Sequence, residues 1–411
     1  MNDTRIPTNA EFNQNRAMFL CVLSAAVVGF ALGLSDSILA NFFREAYGVG
    51  AQQRGLIEFP RELPGIVATF VIAALSFLRN VRTAIVAQCL CAVGMLILGL
   101  FRPSFFLMCI FIFIYSLGQH MYIPLGDSIG LSLSKQENMG RVLGKLNSVR
   151  MAFLMVAGVI TFFGFRFGFF DFETPVLVFL LSAICFIIIA ILNGMLTRHL
   201  PEAVQKKEER PKLVFRREYL RYYMICALYG GRKQIMLVFS PWVLIELLDF
   251  HADTISILAV IGSFIGIFFI PLVGKLIDRF GVRRIMIAEA LAFISVYVAY
   301  GFLSKWITEN VVILTGFSMM MVYLLNIIDR MSAQFYMVRS IYMRSIAITP
   351  EDVTPSLSLG MAIDHVVAIV GAFLCGTVWE IWGPEYVFLI AGILSLLNGL
   401  VAAGIKKQNI D

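Results

Sequence analysis

Charged residues are scarce in this sequence. Only 15% of its 411 positions are Asp, Glu, Lys or Arg, whereas apolar residues make up 59%. Soluble domains average roughly 25% charged and about 45–50% apolar residues. A soluble core of this size cannot bury such an excess of apolar side chains. The composition therefore excludes an ordinary soluble protein and indicates a polytopic α-helical membrane protein.

Several functional signatures are also missing. The seven cysteines show no disulfide or metal-ligand spacing, so we expect no metal and no cofactor. No G-x-x-x-x-G-K-[ST] loop occurs, so ATP is not expected to drive the protein. The net charge of +6 comes from cations in short loops and not from one basic face. Nucleic acid is therefore not an expected partner.

Twelve segments are apolar enough, and close enough to the required 20 or so residues, to cross a bilayer. The polar stretch 198–217 separates them into two groups of six. The sequence therefore predicts a cytoplasmic tail at 1–16, a six-helix bundle at 17–197, a cytoplasmic central loop at 198–217, a second six-helix bundle at 218–405 and a cytoplasmic tail at 406–411. The predicted spans are 17–43, 54–78, 82–101, 104–131, 139–166, 174–197, 218–247, 253–276, 284–304, 310–338, 355–380 and 385–405.

Lys and Arg are distributed unevenly over the two sides of these spans. With both termini on one side, that side holds most of the 33 cations. The positive-inside rule then places both termini in the cytoplasm and requires an even number of spans. We expect a multi-pass protein of the plasma membrane, which in a bacterium is the inner membrane. The opposite side holds only Arg44, Arg54, Arg102, Arg166 and Lys305.

The connection after the eighth predicted span contains a specific motif. It reads Gly-Lys-Leu-Ile-Asp-Arg-Phe-Gly-Val-Arg-Arg from Gly274 to Arg284. The two glycines are expected to allow a tight turn, and Asp278 to cap a helix or to pair with a neighbouring arginine. This spacing resembles the loop signature of the major facilitator superfamily, G-x-L-x-D-R-x-G-x-R-[KR]. The predicted gating motif comprises Gly274, Asp278, Arg279, Gly281, Arg283 and Arg284.

The resemblance implies a fold and a mechanism. The fold is all-α, with twelve transmembrane helices in two pseudo-symmetric six-helix bundles, and it works by alternating access. The motif would act as a latch that closes one face. A degraded copy at Phe77 to Arg82 keeps the arginines but lacks the aspartate, in agreement with two parallel repeats. The fifth span lacks the Gly-Pro signature of many drug/proton antiporters, which argues against drug efflux without removing that alternative.

Charged and polar side chains inside the predicted spans mark a candidate pathway. A charge at mid-bilayer costs about 2.5–3.5 kcal/mol on insertion scales, so such groups usually face a water-filled cavity. The charges lie on spans 1, 2, 4, 5, 7, 10 and 11 and are absent from the interiors of spans 3, 6 and 12. In the major facilitator fold that the sequence resembles, spans 1, 4, 7 and 10 line the central cavity. The candidate substrate-binding or coupling residues are Asp36, Glu58, Arg61, Glu62, His120, Asp127, Arg150, Tyr229, Arg232, Lys233, Asn326, Asp329, Arg330, Asp364 and His365.

The second span carries an unusual group of charges. Glu58, Arg61 and Glu62 share one helix face, and two prolines with a glycine are expected to break or kink the helix beside them. Asp36 of the first span is expected to meet Arg61. The alternative interpretation is a salt bridge at the extracellular mouth that only holds helices together.

Titratable and cationic residues suggest what is transported. Gly230 and Gly231 are expected to weaken the seventh span where Arg232 and Lys233 lie, as in a site that bends or admits an anion. With Arg150 of the fifth span, these cations favour an anionic or zwitterionic substrate. The buried carboxylates and the histidines are candidates for proton coupling, although each histidine is also compatible with an ordinary polar core residue.

The sequence thus predicts a secondary active transporter and not an enzyme. It would move a small solute by alternating access, with a proton or another coupling ion, as a monomer among membrane lipids. Within the same fold, a multidrug or lipid efflux protein or flippase is the alternative. Outside this class, the alternatives are a membrane-embedded enzyme, which needs a convergent catalytic constellation, and a transport-inactive sensor. We assign no catalytic residue.

Overall fold

The computed structural model describes residues 9–75, 77–134, 138–199, 215–311, 316–332 and 335–405. The predicted tail at 406–411, half of the tail at 1–16 and most of the central loop at 198–217 lie outside these residues.

All regular structure in the described ranges is helical. The α-helices are α1 (Asn9–Ser35), α2 (Leu39–Tyr47), α3 (Ala51–Ala74), α4 (Asn80–Leu100), α5 (Phe105–Ser132), α6 (Met139–Arg166), α7 (Leu177–Leu196), α8 (Leu220–Trp242), α9 (Ala252–Thr308), α10 (Phe317–Ser332), α11 (Tyr336–Ile346), α12 (Val353–Trp382) and α13 (Pro384–Ala403). Short 3₁₀ turns precede α8 and α12, and a π-helical segment, Val243–Leu247, follows α8.

Helix occupies most of the described part of each of the twelve predicted spans. The first span lies in α1 and α2, and the described part of the tenth lies mainly in α10 and extends to the first residues of α11. The eighth and ninth both lie in α9, which is interrupted at Gly281, where φ is 77° and the backbone leaves the helical region. Within the described residues, eight helices are long and apolar enough to cross a membrane, and the interrupted α9 counts once among them. The all-α prediction is confirmed.

The second span is not broken at its prolines. Helix α3 continues through Pro60, Pro64 and Gly65, so the predicted break is wrong and the predicted kink stays a prediction. Proline has a helical φ, so a helix can continue through it although one backbone hydrogen bond is lost.

The chain forms two compact units. One comprises Met1–Ile38 and Pro64–Arg210, and the other comprises Leu39–Leu63 and Pro211–Asp411. The division falls inside α3, so the first half of this helix packs with the C-terminal part of the chain. The domain boundaries that we predict from the sequence stay a prediction.

In the first unit, α1 packs against α6 and α7, and α4 packs against α5 and α7. Glycines permit the closest approach. A Cβ atom at Gly29 would lie 2.0 Å from the carbonyl oxygen of Arg150, and one at Gly33 would lie 2.5 Å from that of Leu154. Without side chains at these positions, the backbones of α1 and α6 come into direct contact.

In the second unit, α8 packs against α12 and α13, and α9 packs against α13 and α10. A buried apolar cluster at one end joins α8, α9 and α11, and includes Tyr222, Ile277, Met286 and Met343. The remainder of α8 carries polar and charged side chains toward α3, α9 and α12, and these form the candidate site.

Candidate functional site

Two predicted residues meet between α8 and α12. Lys233 Nζ lies 2.7 Å from Asp364 Oδ2, and an arginine of α11, Arg339, lies 3.7 Å from Asp364 Oδ1. The guanidinium of Arg339 also stacks on the ring of Tyr229, 3.7 Å from its centroid. These three charges, here called the Lys233–Asp364–Arg339 cluster, sum to one net positive charge.

The double glycine of α8 lets α12 approach closely. Helix α8 is continuous through Gly230 and Gly231, and the predicted weakening of the helix there stays a prediction. A Cβ atom at Gly230 would lie 2.4 Å from Asp364 Oδ1 and 2.9 Å from Asp364 Cα. The glycine therefore makes room for α12 and brings the Asp364 carboxylate against the backbone of α8.

A row of four charges follows one face of α3. Arg54 and Glu58 form an ion pair, and Arg61 Nη1 lies 2.7 Å from the same Glu58 oxygen, Oε1. Glu58 is fully buried, and Arg54 is 3% exposed. The spacing of four and three residues places these side chains together on the helix, as the sequence predicts for Glu58 and Arg61. Two guanidinium groups thus compensate the buried Glu58 carboxylate.

The second acid of this row, Glu62, has another partner. His365 Nδ1 lies 2.8 Å from Glu62 Oε2. Gln234 Nε2 donates a hydrogen bond to Glu58 Oε2 at 2.6 Å and lies 3.5 Å from Glu62 Oε1. The row on α3 is therefore joined to both α8 and α12.

Consecutive residues of α8 and α12 take part in two neighbouring sets of contacts. Lys233 of α8 pairs with Asp364 of α12. Their sequence neighbours, Gln234 and His365, both reach the acids of α3. Each helix thus carries one residue of the Lys233–Asp364–Arg339 cluster and, at the next position, one residue of the α3 network.

Arg232 does not point into an open site. It pairs with Glu289 of α9, and the two side chains are only 1% and 4% exposed. Its guanidinium also lies over the rings of Tyr229 and Phe293. The charge of Arg232 is thus neutralised inside the unit, which contradicts the predicted role of this residue in attracting an anion.

The candidates on α10 form a separate polar group. Asn326 Nδ2 donates to Ser240 Oγ at 3.2 Å, and Arg330 Nε donates to Asn326 Oδ1 at 3.2 Å. Ser240 also shares a hydrogen bond of 2.7 Å with the hydroxyl of Tyr300. Asp329 is buried beside them, and its Oδ1 has no hydrogen-bond partner among the described residues.

In the first unit, Asp36 is part of a hydrogen-bond network. Its Oδ1 accepts from the hydroxyl of Tyr115 at 2.8 Å, and both its oxygens accept from Gln119 Nε2, at 3.2 and 3.3 Å. The Tyr115 hydroxyl also contacts Ser35 Oγ at 2.6 Å. The predicted pairing of Asp36 with Arg61 would join the two units, and it stays a prediction.

The other candidates of the first unit are dispersed. His120 Nδ1 contacts Ser116, its own neighbour one helical turn earlier, at 2.9 Å from the carbonyl oxygen. Arg150 donates a hydrogen bond to Asn147. Asp127 lies two turns after His120 on α5 and is partly buried.

The loop motif between the two halves of α9 is exposed at its charged positions. Gly281 has a positive φ, which glycine adopts easily because it has no Cβ atom. Gly274 lies inside the helix, so only Gly281 makes the turn. Asp278 is exposed, and Arg279 stacks on the neighbouring ring of Phe280, 5.2 Å from its centroid. Arg283 and Arg284 begin the second half of α9.

Several residues of these networks do not appear among the sequence candidates. Arg54 is assigned from the sequence to an external loop, although its spacing of four from Glu58 is a recognisable signal. Arg339 is assigned to a cytoplasmic loop, and no sequence signal places it against Asp364. Gln234 and Tyr115 carry no charge, so the pattern of charged residues in the spans does not indicate them. Within the described residues, no group of three or more His, Cys, Asp and Glu side chains is arranged to hold a metal ion.

The sequence was compared with the profiles of protein families and with curated proteins. The sequence profile of the Major Facilitator Superfamily matches residues 21–346. A search of curated protein sequences finds no significant match.

Solved structures of similar fold are numerous. The chain is similar to the nucleoside transporter NupG, with a TM-score of 0.75, 13% identity and coverage of 96% of this chain and 100% of that one. It is similar to a POT family transporter in complex with 5-aminolevulinic acid, with a TM-score of 0.75, 11% identity and coverage of 94% and 95%. A bacterial homologue of the human lysosomal transporter Spinster gives a TM-score of 0.69, 13% identity and coverage of 95% and 96%. At these identities the likeness establishes the fold.

Proposed function

Because the chain belongs to the Major Facilitator Superfamily, we propose that it is a proton-coupled secondary transporter of a small zwitterionic or anionic solute. Transport by alternating access is the mechanism that the resemblance implies. The observation that carries the proposal is the pairing of adjacent residues on α8 and α12. Lys233 and Asp364 form one pair, and Gln234 and His365 reach the acids of α3 beside it.

The Lys233–Asp364–Arg339 cluster supports the substrate class. Its single carboxylate lies between two cations, and the Lys233 side chain is 24% exposed. A carboxylate of the solute can take the place of Asp364 at Lys233, and an ammonium group can then pair with the released Asp364. Arg232 is unsuited to this exchange because Glu289 and the surrounding aromatic rings enclose it.

The contact between Glu62 and His365 supports proton coupling. Histidine is the side chain whose charge ordinarily changes near neutral pH, and this one faces a carboxylate 2.8 Å away. Arg61, Gln234, Lys233 and Arg54 also lie near Glu62. A proton gained or lost at this pair alters the attraction between α3 and α12, one residue from the group that would hold the solute.

The exposed loop motif supports a gating role. Asp278, Arg279 and Arg284 are exposed and Arg283 is partly exposed, so these charges can exchange partners between two states. We assign the latch to Asp278. Asp278→Asn is expected to reduce uptake while the amount of protein in the membrane stays the same, and Lys275→Gln in the same loop is the control. Normal uptake by Asp278→Asn would contradict this assignment.

The cation distribution supports the orientation. We place both termini in the cytoplasm because most cations lie on their side of the membrane. We also propose that the protein is a monomer of the plasma membrane. Single cysteines introduced at exposed loop positions and labelled from outside intact cells test this placement.

Counterflow in proteoliposomes tests the substrate class. The panel comprises amino acids, dipeptides, nucleosides and monocarboxylates, with Lys233→Met, Asp364→Asn and the exposed-loop control Asp171→Asn. Zwitterion exchange is expected to fail in both site variants. Monocarboxylate exchange is expected to fail in Lys233→Met and to survive in Asp364→Asn, where two cations remain. Equal activity toward neutral nucleosides in all three variants would overturn the assignment.

An imposed pH gradient tests the coupling. Wild-type uptake is expected to follow the gradient and to collapse with a protonophore. Glu62→Gln and His365→Gln are expected to retain counterflow but to lose accumulation against a gradient, because substrate binding persists without the Glu62–His365 contact. His199→Gln, outside the site, is the control. Gradient-driven accumulation in both site variants would contradict the role of this pair.

A further inference from the structure

A groove lies at one end of the second unit, away from the Lys233–Asp364–Arg339 cluster. The beginning of α8 and the ends of α11 and α13 surround it, and its volume is about 730 Å³. Since the ends of three spans meet there, the groove lies at the membrane surface. The orientation proposed above makes this the cytoplasmic surface.

Two arginines supply the polar wall of the groove. Arg217, in the 3₁₀ turn before α8, and Arg221, in the first turn of α8, both line the groove. Within the described residues neither forms an ion pair, whereas the neighbouring Arg216 is paired with Asp352 at 2.9 Å. One acid, Glu218, also lines the groove, which leaves a net positive charge.

Gly404 makes room for the guanidinium group of Arg221. A guanidinium nitrogen of Arg221 lies 3.3 Å from the point where a Cβ atom of Gly404 would be, so a side chain there would crowd the arginine. Tyr342 of α11 lines the same groove. The Arg221 guanidinium therefore lies between the beginning of α8 and the end of α13.

The other wall is apolar and continues along the outside of the protein. Leu220, Met224 and Leu400 line the groove and are exposed, Leu400 by 62%. On α13, exposed apolar residues recur at three- and four-residue intervals and end at the groove. This stripe comprises Leu389, Ile393, Leu396 and Leu400. Such a stripe on a transmembrane helix faces acyl chains.

We propose that this groove binds the headgroup of an anionic phospholipid of the adjacent leaflet. Its phosphate would contact Arg217 and Arg221, and an acyl chain would lie along the stripe of α13. Basic pockets between transmembrane helices at this surface have the charge and shape that phospholipid headgroups require. The charge of the arginines selects an anionic over a zwitterionic lipid, and the apolar wall selects a lipid over a free phosphate.

Native mass spectrometry of the full chain tests the proposal, since it counts bound lipids without measuring transport. Detergent-purified protein is titrated with phosphatidylglycerol, with phosphatidylcholine, and with inorganic phosphate. The variants are the double variant Arg217→Gln with Arg221→Gln, the charge-retaining Arg221→Lys and the control Arg82→Gln. Arg82 is an exposed cation in the first turn of α4. Thermal unfolding in the same lipids is the second readout.

The wild type, Arg82→Gln and Arg221→Lys are expected to retain one more phosphatidylglycerol than the double variant. Phosphatidylglycerol is expected to raise the unfolding temperature of the wild type more than phosphatidylcholine does, and this difference is expected to vanish in the double variant. Equal retention by the double variant and the wild type would overturn the proposal. Displacement of the retained lipid by millimolar phosphate would identify a free-phosphate site instead.

Discussion

Arg232 and Glu289 form an ion pair whose two side chains are almost completely buried between α8 and α9. The Arg232 guanidinium also donates to Ser395 Oγ at 3.3 Å, and that serine donates to the carbonyl oxygen of Ala290. The pair therefore joins three helices of the second unit. Its position argues for a structural role, and it separates Arg232 from the adjacent Lys233, which remains partly accessible.

Removal of one partner of this pair is expected to destabilise the protein. Arg232→Gln or Glu289→Gln leaves an uncompensated buried charge, which typically costs about 3–5 kcal/mol. Thermal unfolding in detergent measures the loss. The double variant Arg232→Met with Glu289→Leu is expected to recover much of it and to transport the same solutes. A changed substrate profile at normal stability in Arg232→Gln would instead return this residue to the binding site.

The interruption of α9 gives a second prediction. At Gly281, φ is 77° and ψ is 159°, a backbone region that is essentially confined to glycine, so Gly281→Ala is expected to cost about 1–3 kcal/mol. Gly274→Ala is the matched control, because Gly274 is helical with open space at its Cβ position and alanine favours helix. Unfolding temperatures of the two variants are compared. Equal stability would contradict the turn geometry.

The contact between α1 and α6 gives a third prediction. A Cβ atom at Gly29 would lie 2.0 Å from the backbone oxygen of Arg150, so Gly29→Ala forces these helices apart, at a cost of about 1–3 kcal/mol. Gly194→Ala on α7 meets nothing within 4 Å and is the control. Limited proteolysis and thermal unfolding report the difference. Unchanged stability of Gly29→Ala would exclude the close packing of α1 on α6.

Asp352, in the turn before α12, gives a prediction about pH. The hydroxyl of Tyr219 donates to Asp352 Oδ2 at 2.7 Å, and this hydrogen bond together with Arg216 lowers the pKa of the carboxyl from its usual value. Because the pKa is lower in the folded state, the carboxylate stabilises the fold above the unfolded-state pKa of about 4, and this contribution is lost as the pH falls through the folded-state value.

The unfolding temperature of the wild type is therefore expected to fall more steeply between about pH 5 and pH 3 than that of Asp352→Asn. At neutral pH, Asp352→Asn and Tyr219→Phe are both expected to unfold at lower temperature than the wild type. Asp171→Asn, which removes an exposed loop carboxylate, is the control. Parallel pH profiles for the wild type and Asp352→Asn would show that this carboxylate has no such role.

The sequence predicts the helices well because each span must bury about 20 apolar residues in lipid, and this requirement leaves a continuous pattern. It also predicts that Glu58 and Arg61 meet, because their contact is local to one helix. Pro60 and Pro64 suggest a break that α3 does not contain, since a helix can continue through proline at the loss of one hydrogen bond. The contact of Gly230 cannot be predicted from its surroundings in the sequence, since it is made with α12, which lies about 130 residues later.

Contacts between distant residues are the part that the sequence does not contain. Asp364 and His365 are evident candidates, but which of them faces Lys233 and which faces Glu62 depends on the rotation of α12 about its axis. Arg232 and Lys233 are chemically similar neighbours, yet one is enclosed and the other accessible because they lie about 100° apart around α8. A single sequence gives no measure of that rotation.

The neighbouring positions at 233 and 234 on α8, and at 364 and 365 on α12, constrain how such a protein can change during evolution. An insertion or deletion of one residue in either helix rotates all that follows by about 100°, and both contacts are lost together. Point substitutions act differently. Replacement of Lys233 or Asp364 alters one contact and leaves Gln234 and His365 in register with α3. Under the proposed function, substitutions at Lys233 or Asp364 would change solute preference among descendants of this chain, while the contacts proposed to couple protons would be inherited unchanged.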